Sequence, residues 1–218
     1  MGSGAKVSHP IFARLYARIG AAAEKKGNAE HRDEMLTGLA GRVIEVGAGT
    51  GLNFRHYPDG VTEVVAVEPE PRLRRMASEE AARSRVPVAV VDGVADELPA
   101  EDGSFDAGIA SLVLCSVSDP GAALAELFRV IRPGGELRFL EHVRAESSGF
   151  ARFQRATDVV HPLVGGGCHV SRDTLGAIER AGFAVDDVRR FRFTPCFLDQ
   201  AVAPHILGTA RRPMSKED

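Results

Sequence analysis

Two acids and a string of glycines carry the clearest chemical signal in this 218-residue chain. Glu45 lies in the β-branched run Arg42-Val43-Ile44-Glu45-Val46, which stops in Gly47-Ala48-Gly49-Thr50-Gly51. Such a run reads as a buried parallel strand, and glycines at this spacing as a turn whose bare backbone can press against a ligand. A second run, Glu63-Val64-Val65-Ala66-Val67, ends in Glu68-Pro69. Glu68 falls roughly 20 residues beyond the glycines, where a nucleotide-binding βαβ unit carries the acid that accepts the ribose hydroxyls. The chemistry implied is recognition of a nucleoside-type ligand.

The glycine spacing narrows the choice. A dinucleotide turn reads Gly-X-Gly-X-X-Gly and sets a helix N-terminus against pyrophosphate. Here it reads Gly47-X-Gly49-X-Gly51, preceded by the acid Glu45. An anion at that point repels pyrophosphate but could hold the ammonium of an amino-acid moiety, directly or through water. That favours S-adenosylmethionine over NAD. Asn53, just past the turn, is expected either to bind the amino-acid end or to cap the following helix.

Further segments extend the pattern. Asp102-Gly103-Ser104-Phe105-Asp106 leads into Ala107-Gly108-Ile109-Ala110-Ser111-Leu112, and Arg129-Val130-Ile131-Arg132-Pro133-Gly134-Gly135 follows. With the glycine turn, they resemble the class I S-adenosylmethionine-dependent methyltransferases, in which they correspond to the fourth strand and the turn before the fifth. The likeness covers most of residues 41–141. Leu112-Val113-Leu114-Cys115-Ser116-Val117, Glu141-His142-Val143, Gly167-Cys168-His169-Val170-Ser171-Arg172-Asp173 and Pro204-His205-Ile206-Leu207-Gly208 are similar to the group that includes the alkyl thiol S-methyltransferases.

The resemblance implies a site map. Val94 and Ala95 meet the adenine edge through their backbone, Val94 standing where many relatives have an aspartate, with Asp92 or Asp96 as substitutes. Ser111 and Leu112 line the floor beneath the methionine, and an N-terminal helical extension brings Tyr16 near the mouth. Ala48 and Pro69 complete the cofactor set with Glu45, Gly47, Gly49, Gly51, Asn53 and Glu68. His142, after the fifth strand, is the first candidate base because its imidazole titrates near neutrality, and His169 is the second. Cys115, His142, Cys168 and His169 are expected around the acceptor. A zinc set drawn from Cys168, His169, His161 and Cys196 matches no structural-zinc spacing, so no metal is expected.

The elements that must position these residues follow from periodicity. Strands are predicted near Val43, Val65, Val88, Ile109 and Leu137, with helices over 71–83, 121–131 and 172–181, and final strands over 185–193 and 205–210. Asp119-Pro120 supplies a cap and a first-turn proline, and Gly182 a stop. The expected fold is α/β: a Rossmann-like, doubly wound, seven-stranded sheet, mostly parallel with one antiparallel strand, plus an N-terminal helical lid. One domain spans 1–218: an extension over 1–40, with Ile11, Leu15, Ile19 and Ala22 on one face; a cofactor core over 41–144; an insertion over 145–170, helical near 150–160, that lines the substrate pocket; and a C-terminal helix and hairpin over 171–218.

Bulk properties limit the partners. Net charge is -3, so no broad basic surface offers itself to nucleic acid. Arg72, Arg74 and Arg75 read as a solvated helix face. There is no Trp and there are only two Tyr for stacking on bases, and no Asn-Pro-Pro-Tyr-like segment follows the fourth strand. Three scattered cysteines point to a reducing compartment, and with no run of about 20 apolar residues and no signal-peptide pattern the expected location is cytoplasmic. Animal members of the thiol group carry an apolar N-terminal anchor that this sequence lacks. The expected function is methyl transfer from S-adenosylmethionine to a small molecule, a thiol being favoured by the likeness. O- or N-methylation of a small metabolite, a non-catalytic S-adenosylmethionine-binding module and an NAD-dependent dehydrogenase are the alternatives. The oligomeric state is left open.

Overall fold

The computed structural model describes Gly20 and residues 22–194 and 200–214. Seven strands, β1 (Gly41–Val46), β2 (Val61–Val67), β3 (Val88–Val91), β4 (Phe105–Ser111), β5 (Ile131–His142), β6 (Ala184–Arg192) and β7 (Pro204–Arg211), form one sheet in the order 3-2-1-4-5-7-6. Pairing is parallel from β3 through β5, and β7 runs antiparallel to both β5 and β6. This is the expected architecture. The chain winds outward from β1 to β3 and then returns to β4, so a crevice opens beyond the carboxyl ends of β1 and β4.

Six helices are named: α1 (Ala29–Leu36), α2 (Pro71–Ala81), α3 (Pro120–Val130), α4 (Ser148–Thr157), α5 (His161–Val164) and α6 (Thr174–Arg180). Four of them, α2, α3, α4 and α6, start at a side-chain cap that satisfies orphan N–H groups. Glu70 accepts from Leu73 N, Asp119 from Gly121 and Ala122, Ser147 from Phe150 and Asp173 from Gly176. Alternate strand residues feed two cores, because successive side chains leave a strand on opposite faces. Ile44, Leu137 and Phe139 pack with Leu124 and Leu127, while Val43, Ile109 and Leu140 pack with Met35 and Leu36. Burying each such side chain contributes about 1.5–3 kcal/mol.

Two details differ from expectation. β5 begins at Ile131, which pairs with Phe105; the residues expected to form a turn before it, Arg132 to Gly135, bulge out before Glu136 pairs with Ala107. Arg74 is no solvated face: its guanidinium holds the carbonyls of Glu68 (2.8 Å) and Pro69 (3.0 Å) and the carboxylate of Asp92 (2.8 Å). Ile11, Leu15, Tyr16 and Ile19 lie outside the described residues, and the described part of the N-terminal extension packs α1 onto the sheet. Arg138 secures its end by donating to the carbonyls of Met35 and Thr37. No helix among the described residues is long and apolar enough to cross a membrane.

Candidate active site

A cleft of about 730 Å³ opens at the strand reversal, within the usual range for small-molecule sites. Its floor and first wall come from the ends of β1 and β2, through Gly47, Gly49, Glu68 and Pro69, and from Val94, Ala95 and Asp96 after β3. The opposite wall comes from Leu112, Val113 and the insertion, including Leu163, Gly167 and His169. Of the two acids considered for the adenine edge, Asp96 faces the cleft, whereas Asp92 pairs with Arg74.

The glycine turn is closed upon itself. Gly47, Gly49 and Gly51 all hold positive φ, at 67°, 59° and 81°, a region open to glycine at little cost. Gly47 N and Ala48 N both donate to Val67 O, Gly51 N to Ala48 O, and Gly49 N to Glu68 Oε2 at 2.7 Å. These N–H groups are engaged within the protein, and only the short turn Phe54–His56 follows. Among the described residues no α-helix directly follows the glycines, so the turn lacks the helix-backed pyrophosphate cradle of a dinucleotide site. Glu68, 5% exposed, also accepts from Glu70 N at 2.9 Å. Burial pushes its carboxyl up to about 7 against the bonds from Glu70 and Gly49.

Glu45 is placed differently from expectation. It is 2% exposed, its two oxygens accept from Asn53 Nδ2 (2.8 Å) and Tyr57 Oη (2.7 Å), and it does not line the cleft. Burial raises its pKa, with Tyr57 and Asn53 opposing. Asn53 makes no side-chain cap bond; its Oδ1 accepts from Arg32, which also donates to Ser111 Oγ at 3.0 Å. Arg32 is held in turn by Glu24 at 2.9 Å. Burial works against the charge of Glu24, but bonds from His56, Arg32 and Asn28 hold its carboxyl at about 2. A buried cation therefore ties the N-terminal segment to the ends of β1 and β4. Arg32 and Tyr57 were not legible as site residues, because nothing in their local sequence marks an arginine or tyrosine that reaches a strand end.

At the other wall Glu141, fully buried at the end of β5, accepts from the N–H groups of Val113 (2.9 Å), Leu114 (2.9 Å) and Cys115 (3.2 Å). Burial pushes its carboxyl up to about 7, against the bonds from Leu114 and Val113. This grip holds Leu112 at φ 56°, the left-handed region that a non-glycine residue enters only under support. The insertion is locked on by Gly167, where a Cβ would lie 2.8 Å from Ser116 O, and by His169 N donating to Cys115 O at 2.7 Å.

The four residues expected around the acceptor separate into two sets. His169 faces the cleft, its side chain 39% exposed. Cys115, His142 and Cys168 lie behind the wall, with His142 Nδ1 3.5 Å and 3.4 Å from the two sulfurs and its ring 4.6 Å from that of His205. The proximity of Cys168, with burial, pushes the Cys115 thiol well up, while Cys115 and His142 push the Cys168 thiol down. Arg172 also faces the cleft while donating to Leu114 O at 2.7 Å. Ala48, Gly51 and Ser111 sit in the supporting layer beneath the lining.

A 3-2-1-4-5-7-6 sheet with this closed glycine turn and ribose-type acid defines a class I S-adenosylmethionine-dependent methyltransferase. A methyltransferase-domain family model matches residues 44–139. The human thiol S-methyltransferase TMT1B is 36% identical over 181 residues, covering 80% of this chain and 73% of that protein. Its rat counterpart is 33% identical over 96% of this chain and 89% of its own length. A solved S-adenosylmethionine-dependent methyltransferase from Thermotoga maritima shares the fold at a TM-score of 0.69 and 24% identity, covering 92% of this chain and 96% of that one. The chain belongs to the class I S-adenosylmethionine-dependent methyltransferase family and is an enzyme of that class, similar to the thiol methyltransferase group.

Proposed function

We propose that this protein methylates a small thiol, using S-adenosylmethionine bound along the glycine turn. The observation that carries the cofactor reading is the turn itself: its N–H groups bond to Val67 and Glu68, leaving Glu68 as the polar group that meets the ligand. Glu68 accepts the two ribose hydroxyls, the backbone of Val94 and Ala95 with Asp96 borders adenine, and Leu112 supports the methionine end. Glu45, Asn53 and Ser111 act as positioning residues through Arg32. The cofactor supplies an electrophilic methyl group on a sulfonium.

The thiol reading is supported by the names of the relatives aligned over 80–96% of the chain and by the chemistry of the second wall. Leu112, Val113, Val117, Pro162 and Leu163 make that wall largely apolar, which suits an alkyl group. An alkyl thiol with a pKa near 8.5 is already a few per cent thiolate at neutral pH, so alignment dominates, contributing about 7–11 kcal/mol. Arg172 adds positive potential that favours the thiolate. His169, facing the cleft, takes the thiol proton as the new carbon–sulfur bond forms; His142, turned toward the two cysteines, is given no part in this step.

The purified chain, labelled S-adenosylmethionine and a panel of alkyl thiols, phenols and amines test this. The expected result is product with thiols and a rate at neutral pH that falls at least about 10-fold in H169Q. Turnover confined to phenols or amines, or binding without turnover on every acceptor, would overturn it.

A further inference from the structure

Behind the cleft wall three soft-ligand atoms from distant segments converge. Cys115 Sγ and Cys168 Sγ lie 3.5 Å and 3.4 Å from the same ring nitrogen, His142 Nδ1. All three atoms lie within 4.8 Å of one another, and the methyl-transfer reading uses none of them. One imidazole nitrogen either donates one proton or accepts one in the ring plane. A bond aligned on one sulfur is therefore misaligned on the other. A tetrahedral ion suits all three atoms at once. With metal–sulfur bonds of about 2.3 Å and metal–nitrogen bonds of about 2.0–2.1 Å, the sulfur–nitrogen edges of a tetrahedron come to about 3.6 Å.

The surroundings hold each ligand in place. Cys115 and Cys168 are 1% and 6% exposed. The Cys115 N–H is bound by Glu141 and its carbonyl accepts from His169 N, while the Cys168 carbonyl sits 2.9 Å from His161 Nδ1. Outer contacts of this kind orient metal ligands. Two thiolates and an imidazole select zinc or another soft ion over magnesium or calcium, and the described residues supply three ligands of a tetrahedral set. No local motif announces the set, since the ligands stand 27 and 26 residues apart.

We propose that Cys115, His142 and Cys168 form a soft-metal site that takes one zinc-class divalent ion. The inference rests on the cluster and not on the identity of the acceptor. Its test is titration of the reduced, metal-free full chain with Co²⁺ and then Zn²⁺. One equivalent should bind, with the intense visible bands of tetrahedral cobalt and a sulfur-to-metal charge-transfer band, both lost as zinc displaces cobalt. C115S, C168S and H142Q should each weaken binding at least about 10-fold. X-ray absorption of the zinc-loaded wild type should report two sulfur ligands and a nitrogen, a readout that needs no variant to fold. Folded wild-type protein that binds no stoichiometric metal, or binding that survives both C115S and C168S, would overturn the site. Loss of thiol turnover with metal binding intact would count against the proposed function alone.

Discussion

Glu68 and Glu141 are alike in burial and in a carboxyl pushed up to about 7, yet the two sides of the sheet put them to opposite uses. After β2 the chain departs at Glu70-Pro71 into α2, leaving Glu68 at the cleft with two backbone bonds. After β4 the chain folds back over the end of β5, and Glu141 is closed off by three N–H groups. In this chain the strand-end acid that faces the cleft is the one from which the chain turns away. The other shapes backbone.

The seam between the two sides offers the severest test. A Cβ on Gly47 would lie 2.4 Å from Val113 Cγ2 at a φ of 67°, so overpacking and strain act together. G47A should lose roughly 2–4 kcal/mol of stability and all measurable cofactor binding; thermal unfolding and calorimetry check this, and an unchanged variant would mean the halves do not meet as described. E141A should leave three buried N–H groups without acceptors and lower stability by roughly 3 kcal/mol in urea unfolding. E68A should instead weaken S-adenosylhomocysteine binding about 100-fold, and because it leaves only Gly49 N and Glu70 N without acceptors it should lower stability less, by roughly 2 kcal/mol. Interchanged phenotypes would break the comparison.

Acidity gives a milder probe. Both acids have folded pKa values raised from 4.5 to about 7, so the native state binds more protons than the unfolded chain between those values. Their contribution is fully present below about 4.5 and is lost as pH rises through 7. Glu24, lowered to about 2, opposes them only below about 4.5, and His205, lowered from 6.5 to about 3, opposes the two acids below about 6.5 without outweighing both. The urea midpoint of the unliganded protein should therefore fall between pH 5 and 7.5. Ligand affinity should move the other way, rising about 10-fold from pH 6 to 8 as Glu68 ionises, a slope that E68Q should flatten and E141Q should keep. The smallest effect is expected for L112G, where relief of the positive φ offsets lost contacts and stability should stay within about 1 kcal/mol. A larger loss would show that the Leu112 side chain, rather than Glu141, holds the second wall.

The cofactor side was legible because its parts are contiguous: strand, glycines, strand and acid follow one another from Arg42 to Pro69, and alternation alone places them on adjacent parallel strands. The start of α3 was legible for the same reason, resting on the cap Asp119-Pro120. The second wall was legible only through the family likeness that grouped Cys115, His142, Cys168 and His169, because no contiguous pattern joins them. Cys115, Glu141, His142 and Cys168 meet only because β4 and β5 are neighbours and Gly167 lets the insertion touch Ser116. Arg32 escaped notice because its partners Asn53 and Ser111 are 21 and 79 residues away. Glu45 was assigned to the ligand on its position, and only the fold reveals Asn53 and Tyr57 already bound to it.

The central claim is that the cleft admits a methionine-bearing nucleoside through Glu68 and offers nothing to a pyrophosphate. Calorimetry at pH 7, in two buffers of different ionisation enthalpy, tests it directly. S-adenosylhomocysteine should bind one-to-one with a heat that depends on the buffer, because Glu68 releases its proton as it accepts the ribose hydroxyls, and NADH should give no heat. Binding of NADH, or S-adenosylhomocysteine binding that is independent of buffer and unaltered in E68A, would contradict the account.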